Sequence, residues 1–95
     1  MSDRKISLEE RYVEVEHLID DAEGEIEHFE QEIQAIDENI EKIKATFKKW
    51  DMEEETDVSV AKLNISKEVY QYIIDGWNYE LNELKDERYR LEGIL

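Results

Sequence analysis

Apolar residues in the first half of the chain recur at alternating steps of four and three residues, without a slip. A strict period of seven is typical of a coiled-coil helix, because it keeps one apolar stripe facing a second helix. Ser7 and Glu10 form an S-x-x-E capping box, which predicts where this helix begins. We therefore predict a helix over about residues 7–50, and its apolar seam consists of Leu8, Tyr12, Val15, Ile19, Ala22, Ile26, Phe29, Ile33, Ile36, Ile40, Ile43, Phe47 and Trp50.

Gly24 lies within this first helix and offers an alternative to a continuous rod. A glycine in a helix costs about 1 kcal/mol relative to alanine, which is a weak signal for a break. The seven-residue pattern also runs through Gly24 without interruption. The continuous helix is therefore favoured, and a break that folds the first segment back as a third helix is the alternative.

A second seam occupies the last third of the chain, again in steps of four and three: Tyr70, Ile74, Trp77, Leu81, Leu84, Arg88, Leu91 and Leu95. Ser66 can cap this helix, which we expect over about residues 66–94. Residues 51–65 hold the acidic run DMEEETD and the β-branched words VSV and LNI, which predict an acidic tip followed by a short irregular or extended stretch. The pattern predicts an all-α fold: a long antiparallel coiled-coil hairpin, one domain over residues 1–95, able to dimerise into a four-helix assembly.

The two predicted helices differ in length, at about 43 and about 29 residues. If Trp50 faces the start of the second helix, the first turns of helix one have no intrachain partner. Burying large apolar side chains is worth about 1.5–3 kcal/mol each. We therefore expect self-association or partner docking at this overhang, through Leu8, Tyr12, Val15 and Ile19.

Composition narrows the class of protein. The 95 residues include no proline, no cysteine and three glycines, which favours helices and excludes disulfides and thiol chemistry. No apolar run approaches the roughly 18–20 residues of a membrane span, and the polar opening MSDRKIS lacks the apolar core of a signal peptide. We expect a cytoplasmic protein with no membrane partner.

Acidic residues dominate the first helix, within a net charge of −15 for the chain. Between Glu9 and Glu41 there are fourteen acids and the single base Arg11. Many acids lie three or four residues apart, roughly 5–6 Å along one helix face, a spacing comparable to phosphates along a nucleic-acid strand. We define the anionic stripe as Glu16, Asp20, Glu23, Glu27, Glu30, Asp37 and Glu41, and the tip acids Glu53, Glu54 and Glu55 extend it.

Such an acidic surface has two interpretations. The first is that the acids bind a protein partner with a basic surface; direct binding of nucleic acid is disfavoured, since its phosphates would be repelled. The alternative is that these acids are a solvated face that only keeps the helix soluble.

Catalytic and metal-binding patterns are lacking. The chain has no Gly-rich phosphate loop and no cysteine nucleophile, so we expect no enzyme activity and no cofactor. Glu14–His17 and Glu25–His28 resemble the Glu-x-x-His words of di-iron helical bundles. Both words lie on one helix at outward positions and cannot converge on one ion, so no metal site is predicted.

The aromatic residues add one candidate surface. Trp50 and Trp77 occupy seam positions and are expected in the core. Tyr70, Tyr72 and Tyr79 cannot all face one partner helix, so some of them must point outward. Exposed aromatic clusters are frequent hot spots of protein binding.

The sequence therefore supports two functional hypotheses. The first is a non-enzymatic inhibitor or regulator that occludes a basic, nucleic-acid-binding surface of a partner protein. Small phage-encoded anti-restriction and anti-CRISPR mimics are similar in size and charge. The second is a structural coiled-coil module for oligomerisation or scaffolding, which binds through its heptad seam.

Overall fold

A computed structural model describes residues 7–95, almost all of which lie in two α-helices. Helix α1 spans Leu8–Lys49 and helix α2 spans Glu53–Ile94, each with 42 residues. They pack as an antiparallel hairpin measuring 71 × 25 × 14 Å. The radius of gyration is 21.2 Å, whereas a compact domain of this length would have about 12 Å. The predicted all-α helical hairpin is confirmed. Residues 1–6, most of the polar opening used to predict localisation, lie outside the described residues.

Helix α1 begins where the capping box predicts. The Ser7 side chain accepts a hydrogen bond of 3.1 Å from the Glu10 backbone N–H, which satisfies one of the amides left unpaired in the first turn. The helix then continues through Gly24 to Lys49. The continuous helix is confirmed, and the alternative of a third helix is wrong.

A tight turn at Trp50–Met52 ends α1. The Met52 N–H donates to the Phe47 carbonyl at 3.0 Å, and the Asp51 N–H donates to the Lys48 carbonyl at 3.3 Å. Together with the left-handed φ of 57° at Asp51, these bonds form a Schellman motif, which satisfies the last carbonyls of the helix. The turn leaves Trp50 69% exposed, so the prediction that it is a core residue is wrong.

Helix α2 starts thirteen positions before the predicted Ser66, so the predicted irregular or extended stretch over residues 51–65 is wrong beyond the turn. The seam extends backwards through Leu63 and Val60, both half-buried, in the same steps of four and three. Two polar residues, Thr56 and Lys67, occupy seam positions in this segment and hide the period. The predicted acidic tip consists of the three-residue turn and the first turn of α2.

The earlier start of α2 makes the helices equal in length and removes most of the expected overhang. Val15 is 0% exposed and Ile19 is 3% exposed, in one cluster with Leu84 and Leu91. Tyr12 is half-buried against this cluster. The prediction of an unpartnered segment is therefore wrong for these three residues of α1. Of the four predicted overhang residues, only Leu8 is largely exposed, at 46%.

The core is one line of side chains between the helices. Near the open end of the hairpin it contains a buried cluster formed by Val15, Ile19, Ala22, Leu81, Leu84 and Leu91. Trp77 is partly buried against this cluster, which agrees with its predicted seam position. Further along, Ile36, Ile40 and Ile74 are buried, and the rings of Phe29 and Tyr70 lie 5.6 Å apart. Apart from Leu8 and Trp50, the apolar seam of α1 is thus packed within the hairpin.

Candidate functional site

A bidentate ion pair joins the two helices at the open end of the hairpin. Nε and Nη2 of Arg11 donate to the two carboxylate oxygens of Glu87 at 2.6 and 2.7 Å, and Arg11 also pairs with Glu14. Hydrogen bonding from Arg11 lowers the pKa of Glu87 below its usual range, and the same contact raises the pKa of Arg11. Arg11, the one base between Glu9 and Glu41, therefore links the two helices at this end.

Tyr12 makes a second polar link between the same ends. Its hydroxyl donates to Oε2 of Glu92 at 2.8 Å. This hydrogen bond to the carboxylate favours the neutral phenol and raises the pKa of Tyr12 to about 12. Sequence reasoning assigned Tyr12 to an unpartnered overhang and missed this link, because the register between the helices was unknown.

All seven members of the anionic stripe are exposed on α1. Two of them are paired across the hairpin: Asp37 lies 2.5 Å from Lys67, and Glu23 lies 3.9 Å from Lys85. Among residues 7–95, the other five make no ion pair with a base: Glu16, Asp20, Glu27, Glu30 and Glu41. The larger part of the stripe is therefore available to an external cation.

The charge density of α1 can be compared with that of nucleic acid. The fourteen acids from Glu9 to Glu41 span about 48 Å of helix at about 1.5 Å per residue. That is one carboxylate per about 3.4 Å, similar to the one charge per about 3.4 Å of a single DNA strand. Since the apolar seam faces α2, the surface that α1 presents to solvent is dominated by carboxylates.

The tip acids Glu53, Glu54 and Glu55 form the first turn of α2, where the helix dipole stabilises negative charge. They are exposed. Four lysines near the end of α1 separate them from the anionic stripe: Lys42, Lys44, Lys48 and Lys49. A crevice of about 550 Å³ at the turn is likewise mixed in charge, lined by Lys44, Lys48, Asp51, Glu53, Thr56 and Asp57.

The three tyrosines separate as the sequence predicts. Tyr70 turns inward beside Phe29, whereas Tyr72 is 80% exposed and Tyr79 is 67% exposed. The outward pair belongs to an apolar face of α2 that the sequence analysis did not recognise as a stripe. The sequence does contain the pattern of this face, because Val58 and Ile65 precede Tyr72 and Tyr79 at the same seven-residue spacing.

Over residues 7–95, no group of three or more histidine or acidic side chains has the arrangement needed to hold a metal ion. In the same part of the chain, neither helix combines the length and apolarity required to cross a bilayer. Every buried side-chain nitrogen or oxygen described there has a hydrogen-bond partner.

The fold and these surfaces define a class: an antiparallel two-helix coiled-coil hairpin whose first helix presents an anionic outer surface. Comparison of the chain with protein-family models, curated proteins and solved structures returned no match.

Proposed function

We propose that this protein binds and blocks a basic, nucleic-acid-handling surface of another protein through the anionic stripe of α1. The observation that carries the proposal is the combination of burial and charge on one helix. Val15 and Ile19 are buried against α2, so the seam is not free for a partner, and the exposed acids remain. A partner of α1 must therefore be attracted mainly by charge.

The rigidity of the stripe supports recognition rather than solubility alone. Its backbone is one uninterrupted helix. The bidentate Arg11–Glu87 ion pair links this helix to α2 near one end, and the Asp37–Lys67 ion pair links it further along. Carboxylates on a rigid rod keep their spacing, so a groove that binds phosphates can engage several of them at once without ordering a flexible chain.

The mechanism is competition. Lys and Arg side chains of the partner, which would otherwise bind phosphates, form ion pairs with the stripe while the hairpin fills the groove. Such binding is fast because opposite charges steer the encounter, and it weakens steeply as salt is added.

The test uses charge reversal with a matched control. Glu27→Lys/Glu30→Lys changes the stripe at two exposed positions that make no ion pair, which avoids disturbing Lys85 or Lys67. The control, Glu83→Lys/Asp86→Lys, gives the same change of charge at the same spacing on the exposed surface of α2.

The probe is a short fluorescent DNA duplex bound to each of a panel of purified nucleases, helicases and repressors with basic grooves, followed by anisotropy. The parent should displace the duplex from at least one panel member, and the stripe variant should be about tenfold weaker or more. The control variant should compete almost as well as the parent. If both variants lose affinity equally, net charge alone explains the binding and the stripe has no special role. If the parent displaces the duplex from no panel member, the proposed occlusion is wrong.

A further inference from the structure

A second apolar stripe runs along α2 on the side turned away from α1. Val58, Ile65, Tyr72 and Tyr79 recur every seven residues, and the intervening positions, in steps of four and three, hold Lys62, Val69 and Gly76. The five larger side chains are 53–80% exposed. We call this surface the outer α2 face; it is about 32 Å long at about 1.5 Å per residue.

This spacing is the pattern of a coiled-coil seam, and the hairpin leaves it unpartnered. Single exposed apolar residues are ordinary, but large apolar side chains repeated with a period of seven form a surface suited to packing against another helix. The geometry points to a second copy of this chain as the occupant, bound face to face through the outer α2 face in an antiparallel pair.

Charge is the first argument for a second copy. The chain carries −15 overall, so most of its surface repels another copy. Residues 58–79 are the exception, because they hold only two acids, Glu68 and Asp75, and two bases, of which Lys62 is exposed and Lys67 pairs with Asp37 of α1. Two copies can therefore approach along this segment without the repulsion that the anionic stripe would impose, whereas a strongly basic partner would gain little there.

Self-complementarity is the second argument. When two outer α2 faces are laid antiparallel with matched ends, Val58 lies opposite Tyr79 of the second copy, and Ile65 lies opposite Tyr72. The β-branched residues Val58 and Ile65 of each copy then meet the two tyrosines of the other, and Val69 lies level with Glu68. The same alignment brings Lys62 level with Asp75 of the second copy, twice by symmetry, whereas a parallel alignment would set like charges at the same level.

Gly76 adds a third observation. A Cβ atom added at this position would meet nothing within 4 Å, so packing inside the hairpin does not require glycine there. Glycine in a helix is unfavourable relative to alanine. In the matched antiparallel alignment Gly76 lies level with Ala61, and two small residues at the same level let the helix backbones approach closely.

The resulting assembly would place the two α2 helices at its centre and the two α1 helices outside. The anionic stripes remain open to solvent in this arrangement. The proposal goes beyond the proposed function and does not depend on it, because it uses the outer α2 face and not the anionic stripe of α1.

The first experiment is light scattering after size exclusion, over the micromolar range and at low and molar salt. The parent should have twice the chain mass of 11.4 kDa, whereas Ile65→Glu, Tyr72→Glu and Gly76→Arg should each shift to the monomer. Val13→Glu is the matched control, because Val13 is 54% exposed on α1, and it should remain dimeric. Circular dichroism checks that every variant keeps its helices.

The second experiment determines orientation, using the absence of native cysteine. Val58→Cys and Tyr79→Cys proteins, mixed and oxidised, should form the mixed disulfide dimer, and each alone should crosslink poorly. A monomeric parent, a trimer or larger species, or a dimer insensitive to all three outer-face variants would overturn the proposal. Efficient crosslinking of each cysteine variant with itself would overturn the antiparallel arrangement.

Discussion

Replacing Ile19 by alanine tests the register of the hairpin most directly. In the observed register Ile19 is 3% exposed in the buried cluster with Leu84 and Leu91. A hairpin with an unpartnered first segment would leave it in water. The two arrangements therefore predict different costs for the same substitution.

The magnitude follows from burial. Ile19→Ala removes three carbon atoms, at about 0.8 kcal/mol for each buried methylene, and leaves a cavity that adds to the cost. The better helix propensity of alanine returns about 0.4 kcal/mol. We expect the free energy of unfolding to fall by about 2–3 kcal/mol, a large part of the roughly 5–15 kcal/mol typical of a small domain.

The assay is urea unfolding followed by far-ultraviolet circular dichroism at several protein concentrations. Val13→Ala is the control, because Val13 lies on the same helix and is 54% exposed; its free energy of unfolding should change by less than about 0.5 kcal/mol. If Ile19→Ala changes the unfolding midpoint no more than the control does, the equal-length register is refuted.

Two further predictions concern the ends of the hairpin. Glu87→Gln should lower the free energy of unfolding by about 0.5–1 kcal/mol near neutral pH, because it weakens the half-exposed ion pair with Arg11. The lowered pKa of Glu87 means that its contribution is present above the ordinary pKa of 4.5 and is lost as the pH falls through the lowered folded-state value. The difference in melting temperature between parent and variant should shrink in acid, and a constant difference would contradict the ion pair. At the turn, Asp51→Gly should raise the melting temperature by a few degrees and Asp51→Ala should lower it, since Asp51 has a φ of 57° that suits glycine; equal effects would contradict the left-handed cap.

The start of α2 shows where sequence reasoning lost information. Thr56 and Lys67 stand at apolar positions of the seven-residue pattern, so residues 51–65 looked irregular. Both polar side chains have partners: the Thr56 hydroxyl donates to the Met52 carbonyl at 2.8 Å, and Lys67 pairs with Asp37 across the hairpin. A polar seam residue with a partner does not end a helix, but the partner is invisible in the local pattern.

The candidate surfaces divide in the same way. The exposure of the anionic stripe could be predicted, because acids at fixed steps beside an apolar seam must lie on the outer surface of a helix. The burial of Val15 and Ile19 could not be predicted, because it depends on where α2 begins rather than on their own neighbours. The outer α2 face required recognition of α2 as a helix from Glu53 onward.

The sequence by itself determined the helical class, the start and continuity of α1, the antiparallel hairpin and the concentration of acids on one helix. These properties follow from local periodicity, capping and composition, which act within a few turns of one helix. The tertiary structure decided the length of α2, the pairing of Arg11 with Glu87 and of Tyr12 with Glu92, and the surfaces left open. Register is a property of contacts summed along both helices between residues far apart in sequence, so no local pattern determines it.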